Sequence, residues 1–181
     1  MSADQEECFI SVDIEAAGPV PALYSMLSIG ACAVESENVS FECILKPTTR
    51  NFVPEAMEVT GFNIDQLERE GQEPPSAMKK FAEWVKITAA DKSPVFVGLN
   101  AAFDWSFVNY YFHSCSVENP FGFAPVDIKA LYMGRFHSSW KDATSRKMAA
   151  ALFAESKGNH NALVDAKAQA ELFRLIRANR S

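Results

Sequence analysis

The chain has 181 residues, a length over which one hydrophobic core can extend, so we expect a single domain over residues 1–181. Its 48% apolar and 22% charged residues are typical of a globular protein and exclude a disordered chain and a coiled coil. The N-terminal MSADQEEC lacks the regions of a signal peptide, and no apolar run approaches the roughly 18 residues of a membrane helix. We therefore expect a soluble cytoplasmic protein with no membrane partner.

Charge is distributed unevenly along the chain, whose net charge is −6. Residues 1–128 carry 7 Lys/Arg and 19 Asp/Glu, whereas residues 129–181 carry 10 and 4. The acidic total argues against a nucleic-acid partner, but the basic C-terminal part is compatible with a polyanion on one face. The four cysteines form no C-x-x-C pair, so neither a zinc ribbon nor a dithiol site is indicated.

The N-terminal part predicts strands. β-branched and aromatic runs predict strands at 8–14 and 94–99, and alternating residues at 25–34 and 39–46 predict a hairpin that turns around Glu37 and Asn38. Residues 47–75 contain four prolines and no clear period, so we expect an irregular connection there.

Helices dominate the rest of the chain. Pro74 opens a helical period over 74–89, Asn100 is a candidate cap for a helix over 101–113, and a brief strand is expected at 126–128. Two further helices are predicted at 141–154 and 161–178. Strands first and β-α alternation afterwards predict an α/β fold with a mixed central sheet of about five strands and helices on its faces.

Asp13 and Glu15 are the first candidate site residues. They lie two residues apart at the end of a strand, so their side chains point to the same face, where a divalent cation would neutralise their repulsion. The small residues Ala16, Ala17 and Gly18 follow and would let a ligand approach the backbone. Two solvated acids at a strand end remain the alternative interpretation.

A second candidate is Asp104 in the run FVGLNAAFDWSF, four residues after Asn100. An acid in the first turn of a helix is also stabilised by the helix dipole alone, so this residue has a purely structural alternative. Phe103 and Phe107 would face the core. Trp105 falls outside that stripe and is either a base-stacking surface or a packed surface aromatic.

The third candidate is the pair His160 and Asp165 in GNHNALVDA. If Asn161 caps the last helix, Asp165 lies on its second turn and His160 stays in the preceding loop. A general base that meets a water can sit on such a loop, whereas a metal ligand must be held rigidly. A polar loop histidine without a catalytic role is the alternative.

Together these motifs resemble the DEDDh 3′-to-5′ exonucleases, a family with a ribonuclease H-like fold that includes proofreading subunits, ribonuclease T and oligoribonuclease. Asp13-Ile14-Glu15 matches the first motif, Asn100 to Asp104 the second, and His160 with Asp165 the third. Gly30-Ala31 and the TGF run at 60–62 also match. Ser28 and Ala16 depart from the pattern: many relatives have glutamate at the first position and a hydroxyl residue at the second, which leaves the subfamily and the contacts to the terminal nucleotide open.

The resemblance implies a metal-dependent exonuclease acting on the 3′ end of single-stranded DNA or RNA and releasing nucleoside 5′-monophosphates. Four carboxylates would hold two divalent cations, Mg²⁺ or Mn²⁺, and His160 would act as general base. The metal ligands would be Asp13, Glu15, Asp104 and Asp165. Several members of the family dimerise, so a homodimer is a candidate assembly, and the sequence leaves the oligomeric state open.

Basic residues near an aromatic predict where the strand would run. Between 135 and 147, RFHSSWKDATSRK includes four cationic side chains around Trp140, namely Arg135, Lys141, Arg146 and Lys147. These are candidates for phosphate contacts, with a solvated helix face as the alternative. The C-terminal Arg174, Arg177 and Arg180 would extend this surface or contact a partner subunit.

Two other classes of function remain open at this stage. One is a catalytically silent module of the same fold that binds nucleic-acid ends, which the loss of a ligand carboxylate would favour; none is lost. The other is a metal-independent scaffold whose acidic part contacts proteins, for which divalent cations would not change thermal stability.

Overall fold

The centre of the molecule is a mixed five-stranded sheet in the order β3-β2-β1-β4-β5. A computed structural model describes residues 6–155 and 158–178. The strands are β1 (Glu7–Ala16), β2 (Met26–Ala33), β3 (Ser36–Ile44), β4 (Ser93–Gly98) and β5 (Val126–Asp127). β1 pairs antiparallel with β2 and parallel with β4, which confirms the mixed sheet.

Seven helices are found in the described residues. They are α1 (Pro54–Thr60), α2 (Ile64–Glu70), α3 (Pro74–Ala89), α4 (Ala102–Ser114), α5 (Ile128–Phe136), α6 (Ser145–Leu152) and α7 (Ala162–Ala178). Within these residues, no helix is long and apolar enough to cross a membrane.

Alternation along β1 assigns the helices to the two faces of the sheet. Ile10, Val12 and Ile14 belong to one core cluster with residues of α3 and α4. Phe9 packs into a second cluster built largely from α5, α6 and α7. Because side chains alternate along a strand, Asp13 projects from the same face as Phe9, towards α7.

Four elements differ from the sequence-based expectation. The hairpin turns at Val34 and Glu35, because Ala33 already pairs with Ser36, so Glu37 and Asn38 lie inside β3. The connection 47–75 contains the two seven-residue helices α1 and α2, which are too short to show a period.

The other two differences involve helix starts that depend on capping. α5 was not predicted: Asp127, the last residue of β5, caps it by accepting a hydrogen bond from the N–H of Ala130 at 2.7 Å. α6 begins at Ser145 instead of 141, because Thr144 supplies its capping hydroxyl.

Gly30 in β2 sets the distance between the sheet and α7. It pairs with Asp13 across the β1–β2 ladder. A Cβ at Gly30 would lie 2.2 Å from backbone atoms of Ala162 and Leu163, the first two residues of α7. Only a glycine therefore lets the start of α7 lie directly on β2.

We expect Gly30→Ala to destabilise the protein by about 1–3 kcal/mol, because the methyl group must push α7 away from the sheet. Chemical denaturation measures this change in the free energy of unfolding. Gly134→Ala is the matched control, since Gly134 lies in α5 and an added Cβ would have no atom within 4 Å apart from its chain neighbours and the backbone of its own helix. That variant should be equally or more stable than the parent, and equal stability of the Gly30 variant would contradict the close approach.

Candidate active site

The three sequence motifs meet in one cleft of about 590 Å³ at the carboxyl end of β1. Two carboxylates come from β1, one from the first turn of α4 and one from the first turn of α7. The cleft is lined by Asp13, Ile14, Glu15, Leu99, Asn100, Phe103, Asp104, Ser145, Gly158, His160, Asp165, Ala168, Gln169 and Leu172. The structure thus brings all four predicted carboxylates together with the predicted histidine.

Asp104 is held against β1 by a hydrogen bond to the main chain. Its Oδ1 accepts from the N–H of Ile14 at 3.0 Å, and its side chain is buried. Ile14 lies between Asp13 and Glu15 in the sequence. The first turn of α4 is therefore fixed to the strand segment that carries the first two carboxylates.

The turn before α4 differs from the expected cap. Asn100 adopts a left-handed conformation with φ of 54° and does not cap the helix; the N-cap position is Ala101. The N–H of Ala101 instead donates to Oδ2 of Asp127 at 2.6 Å. Asn100 tolerates this backbone conformation better than most residues, and it lines the cleft.

His160 and Asp165 are arranged by the cap of α7. Asn161 accepts a hydrogen bond from the N–H of Val164 at 3.0 Å, as predicted, and Asp165 lies in the first turn instead of the second. The backbone N–H groups of Asn159 and His160 donate to the two carboxylate oxygens of Asp165 at 2.8 and 3.0 Å. In this loop, His160 adopts a left-handed backbone conformation with φ of 62°.

One group of side chains at this site lies close enough to share a metal ion. Ligand atoms of Glu15, His160 and Asp165 are all within 4.8 Å of one another. His160 is exposed and sits in the loop before α7, whereas Glu15 is buried at the end of β1.

Burial and mutual repulsion disfavour the charged forms of these carboxylates. Desolvation, followed by the charges of Asp165 and Asp104, raises the pKa of Glu15 to about 7. Burial, with the charges of Asp104, Asp165 and Glu15, raises the pKa of Asp13 well above its usual range. The pKa of Asp104 is also raised, chiefly by burial, although the hydrogen bond from Ile14 opposes the shift.

The donor set fits hard divalent cations. Within residues 6–155 and 158–178, no lysine or arginine forms an ion pair with any of the four carboxylates. Carboxylate oxygens are the ligands that Mg²⁺ and Mn²⁺ prefer, and a cation would remove the repulsion that raises these pKa values. The four acids are therefore suited to binding a dication.

Several predicted contact residues lie outside the cleft lining. Ala16 and Ala17 are buried, and the N–H of Ala17 donates to the carbonyl of Ser25, so it is not free for a ligand. A Cβ at Gly18 would lie 2.5 Å from the Tyr24 ring, which makes this glycine a packing requirement. The three small residues thus serve the chain's own packing.

Trp105 is a packed aromatic, one of the two alternatives open from the sequence, whereas the expected core position of Phe103 is wrong. Trp105 packs edge-on against Phe96 with ring centroids 5.3 Å apart, away from the cleft. Phe103 lines the cleft and is 39% exposed. The buried face of α4 includes Phe107, as predicted, but not Phe103; it runs through Asp104, Phe107, Val108, Tyr111 and Phe112.

The basic residues of 135–147 do not line the cleft itself. Arg146 lines an adjoining groove that shares four residues with the cleft, namely Ser145, Gly158, Ala168 and Leu172. Lys147 pairs with Asp142 at 2.8 Å, and Arg135 and Lys141 are exposed.

The C-terminal arginines contact the body of the protein instead of forming a free basic surface. Arg174 donates to the carbonyl of Val34 and to the carboxylate of Glu37. Arg177 lies 4.3 Å from the centre of the Phe9 ring. Arg180 falls outside the described residues.

Two polar residues of the site escaped sequence reasoning. Gln169 bonds to Asp13, and Asp127 connects the starts of α4 and α5. Asp127 follows a short β run and precedes a helix, which is a capping signal that could have been recognised. Gln169 gave no signal, because a glutamine in a helix is unremarkable until its neighbours are known.

The raised pKa of Glu15 predicts how the metal-free protein responds to pH. The folded state holds the proton of Glu15 up to about pH 7, whereas the unfolded state loses it near pH 4.5. Stability should therefore fall as pH rises through this window. In EDTA, Glu15→Gln should raise the free energy of unfolding by on the order of 1–2 kcal/mol at pH 8 and leave it unchanged at pH 4.

Urea denaturation at the two pH values measures this difference. Glu118→Gln is the control, because Glu118 is exposed and its hydrogen bond with Lys86 lowers its pKa. That variant should gain no stability at pH 8. Equal stability of the parent and the Glu15 variant at pH 8 would contradict the repulsion.

Comparisons with known proteins place this chain in a family. Residues 10–173 match the family model described as exonuclease, RNase_T. The chain is 50% identical over 172 residues to the 3′-5′ DNA exonuclease Cap18 of Escherichia coli, covering 94% of this chain and 92% of that protein.

Solved structures share the fold at low sequence identity. The nuclease domain of 3′hExo, a DEDDh family member bound to rAMP, superposes with a TM-score of 0.76 at 17% identity, over 98% of this chain and 94% of that one. E. coli Exonuclease I in complex with a dT13 oligonucleotide gives a TM-score of 0.73 at 18% identity, over 95% of this chain and 41% of that one. With its four acids and histidine in one cleft, the chain belongs to the DEDDh family of 3′-to-5′ exonucleases.

Proposed function

We propose that this exonuclease removes nucleoside 5′-monophosphates from the 3′ end of single-stranded DNA with the help of two divalent cations. The observation that carries the proposal is the convergence of Asp13, Glu15, Asp104 and Asp165 with His160 in a single cleft. The 50% identical relative named as a DNA exonuclease favours DNA over RNA.

Asp13, Glu15, Asp104 and Asp165 would hold the cations, Mg²⁺ or Mn²⁺. When bound, such ions supply charge stabilisation for the phosphate and lower the pKa of a water. The four carboxylate charges balance the charges of two dications, so the metal-loaded site would be neutral. The net charge of the site with a bound phosphate would then be that of the phosphate alone. Asp104 and Asp165 are each oriented by backbone N–H donors, which fixes their oxygens before any ion arrives.

His160 is suited to accept the proton of the attacking water. It is exposed, it lines the cleft, and its ring lies near Glu15 and Asp165. Its backbone N–H is held by Asp165, so the loop position is defined while the ring remains accessible to a water. A neutral imidazole nitrogen that takes up the proton leaves the water free to attack phosphorus, with the 3′ oxygen departing.

The cleft also offers contacts for an unpaired strand end. Phe103 presents an aromatic surface inside the cleft on which a base can stack, and Asn100 presents an amide. Arg146 in the adjoining groove can contact a phosphate of the same strand. A homodimer and a cytoplasmic location stay predictions from the sequence.

The alternative function for the same site is that of a catalytically silent module that binds nucleic-acid ends. Such a module would bind oligonucleotides without cleaving them. The intact set of carboxylates and the catalytic name of the close relative favour the enzyme.

Labelled single-stranded DNA and RNA oligomers, with free or blocked 3′ ends, test the proposal in Mg²⁺, Mn²⁺ or EDTA. We expect DNA to shorten from a free 3′ end, to yield 5′-monophosphates, and to be stable in EDTA. Asp165→Asn should reduce cleavage at least about 10³-fold at saturating metal while the protein stays folded, because a metal ligand is lost.

Asp142→Asn is the matched control, because Asp142 is a paired surface acid outside the cleft. It should cleave at the parental rate. Full activity in EDTA, 3′-monophosphate products, or parental rates for Asp165→Asn would each refute the proposed mechanism, and binding without cleavage would favour the silent module.

His160→Ala should lower the rate roughly 10²- to 10⁴-fold, the usual share of general-base catalysis, with little change in metal affinity. Cleavage rates together with calorimetric titration of Mn²⁺ measure the two effects separately. His113→Ala, at the end of α4 and outside the cleft, should leave both unchanged. Loss of Mn²⁺ binding by the His160 variant would make the histidine a ligand, and full activity would remove its role as base.

A further inference from the structure

Gln169 is a buried polar side chain of the cleft that the proposed mechanism does not use. It lies in the middle of α7, is 6% exposed and lines the cleft. Its Nε2 donates to Oδ1 of Asp13 at 2.5 Å, and its Oε1 accepts from the N–H of Leu99 at 2.9 Å. Both ends of the amide are therefore occupied, one by a side chain of β1 and the other by the main chain of the turn after β4.

The partner at one end determines what the other end can do. A backbone N–H can only donate, so Leu99 requires the oxygen of the amide to face it. The nitrogen is then left facing Asp13 and can only donate to the carboxylate. The main chain of Leu99 thus fixes the amide orientation, and the amide in turn fixes one oxygen of Asp13.

This single side chain connects the three segments that carry the carboxylates. Gln169 belongs to α7 with Asp165, and its first partner Asp13 belongs to β1 with Glu15. Its second partner, Leu99, lies in the turn that connects β4 to α4, the helix of Asp104. The amide that makes this connection is neutral. A positively charged side chain in its place would compete with a metal cation for the carboxylates.

We propose that Gln169 is a positioning residue that holds Asp13 in the orientation needed to ligate a divalent cation. With Oδ1 of Asp13 engaged by the amide, Oδ2 would be the oxygen that holds a cation. The inference rests on the proposed role of Asp13 as a ligand. Hydrogen-bond partners that orient metal ligands typically contribute 10- to 100-fold to metal affinity or activity.

Calorimetric titration of the nucleic-acid-free protein with Mn²⁺ tests this role through Gln169→Met, which keeps the side-chain length and removes both hydrogen bonds. We expect the dissociation constant for Mn²⁺ to rise roughly 10- to 100-fold. At saturating Mn²⁺, KM for a single-stranded DNA oligomer should change less than about twofold, because the variant alters a ligand and not a substrate contact.

Two further variants separate positioning from a general loss of packing. Phe173→Leu also alters a buried residue of α7, but Phe173 packs against Phe9 and does not line the cleft. It should lower thermal stability without changing Mn²⁺ affinity. In the background of Asp13→Asn, Gln169→Met should have little additional effect on Mn²⁺ binding, because its effect passes through Asp13.

The outcomes distinguish this inference from the proposed function. Parental Mn²⁺ affinity in Gln169→Met, or equal losses in that variant and Phe173→Leu, would overturn the positioning role. An undiminished effect of Gln169→Met in the Asp13→Asn background would overturn it as well. Parental Mn²⁺ affinity in Asp13→Asn alone would instead refute the proposed ligand role of Asp13.

Discussion

The direct contact between α7 and β2 at Gly30 is the constraint on which the site depends. Gly30 pairs with Asp13 in the sheet, and the first residues of α7 lie where its Cβ would be. This contact brings the N-terminal turn of α7 above the end of β1. Asp165, the preceding His160 loop and Gln169 consequently reach the face of β1 that carries Asp13 and Glu15, and a bulkier residue in β2 would separate the two halves of the site.

The resulting cluster of acids costs stability, and the fold offsets only part of that cost. Burial and like charges raise the pKa values of Asp13, Glu15 and Asp104. Backbone donors from Ile14, Asn159 and His160, and the amide of Gln169, stabilise charged carboxylates without neutralising them. The repulsion that remains is relieved by a bound dication, so the same arrangement that weakens the metal-free protein favours metal binding.

The uneven distribution of charge along the chain is explained by where the acidic and basic residues lie in the folded state. Three of the four clustered acids come from the acidic residues 1–128, and Asp165 comes from the basic part. Arg146, also from the basic part, lies in a groove that adjoins the cleft. A cation-loaded cleft next to this groove suits a polyanionic strand, although the net charge of the whole chain is −6.

The mixed sheet could be predicted from the sequence by itself, because strand alternation and helix capping are local properties. The four acids and the histidine were predicted as one site from the order and spacing of three motifs that resemble those of the DEDDh exonucleases, since each motif alone also had a purely structural interpretation. The sequence also offered Asn161 as a candidate cap of α7, and the structure shows this cap. The exposure of Phe103 and the packing of Trp105 required the tertiary structure, since a shift of one residue rotates a helix face by about 100° and aromatic residues fill both sides of α4. Gln169 likewise acquires its contacts only when α7 meets β1 and β4, because its two partners lie 156 and 70 residues away along the chain.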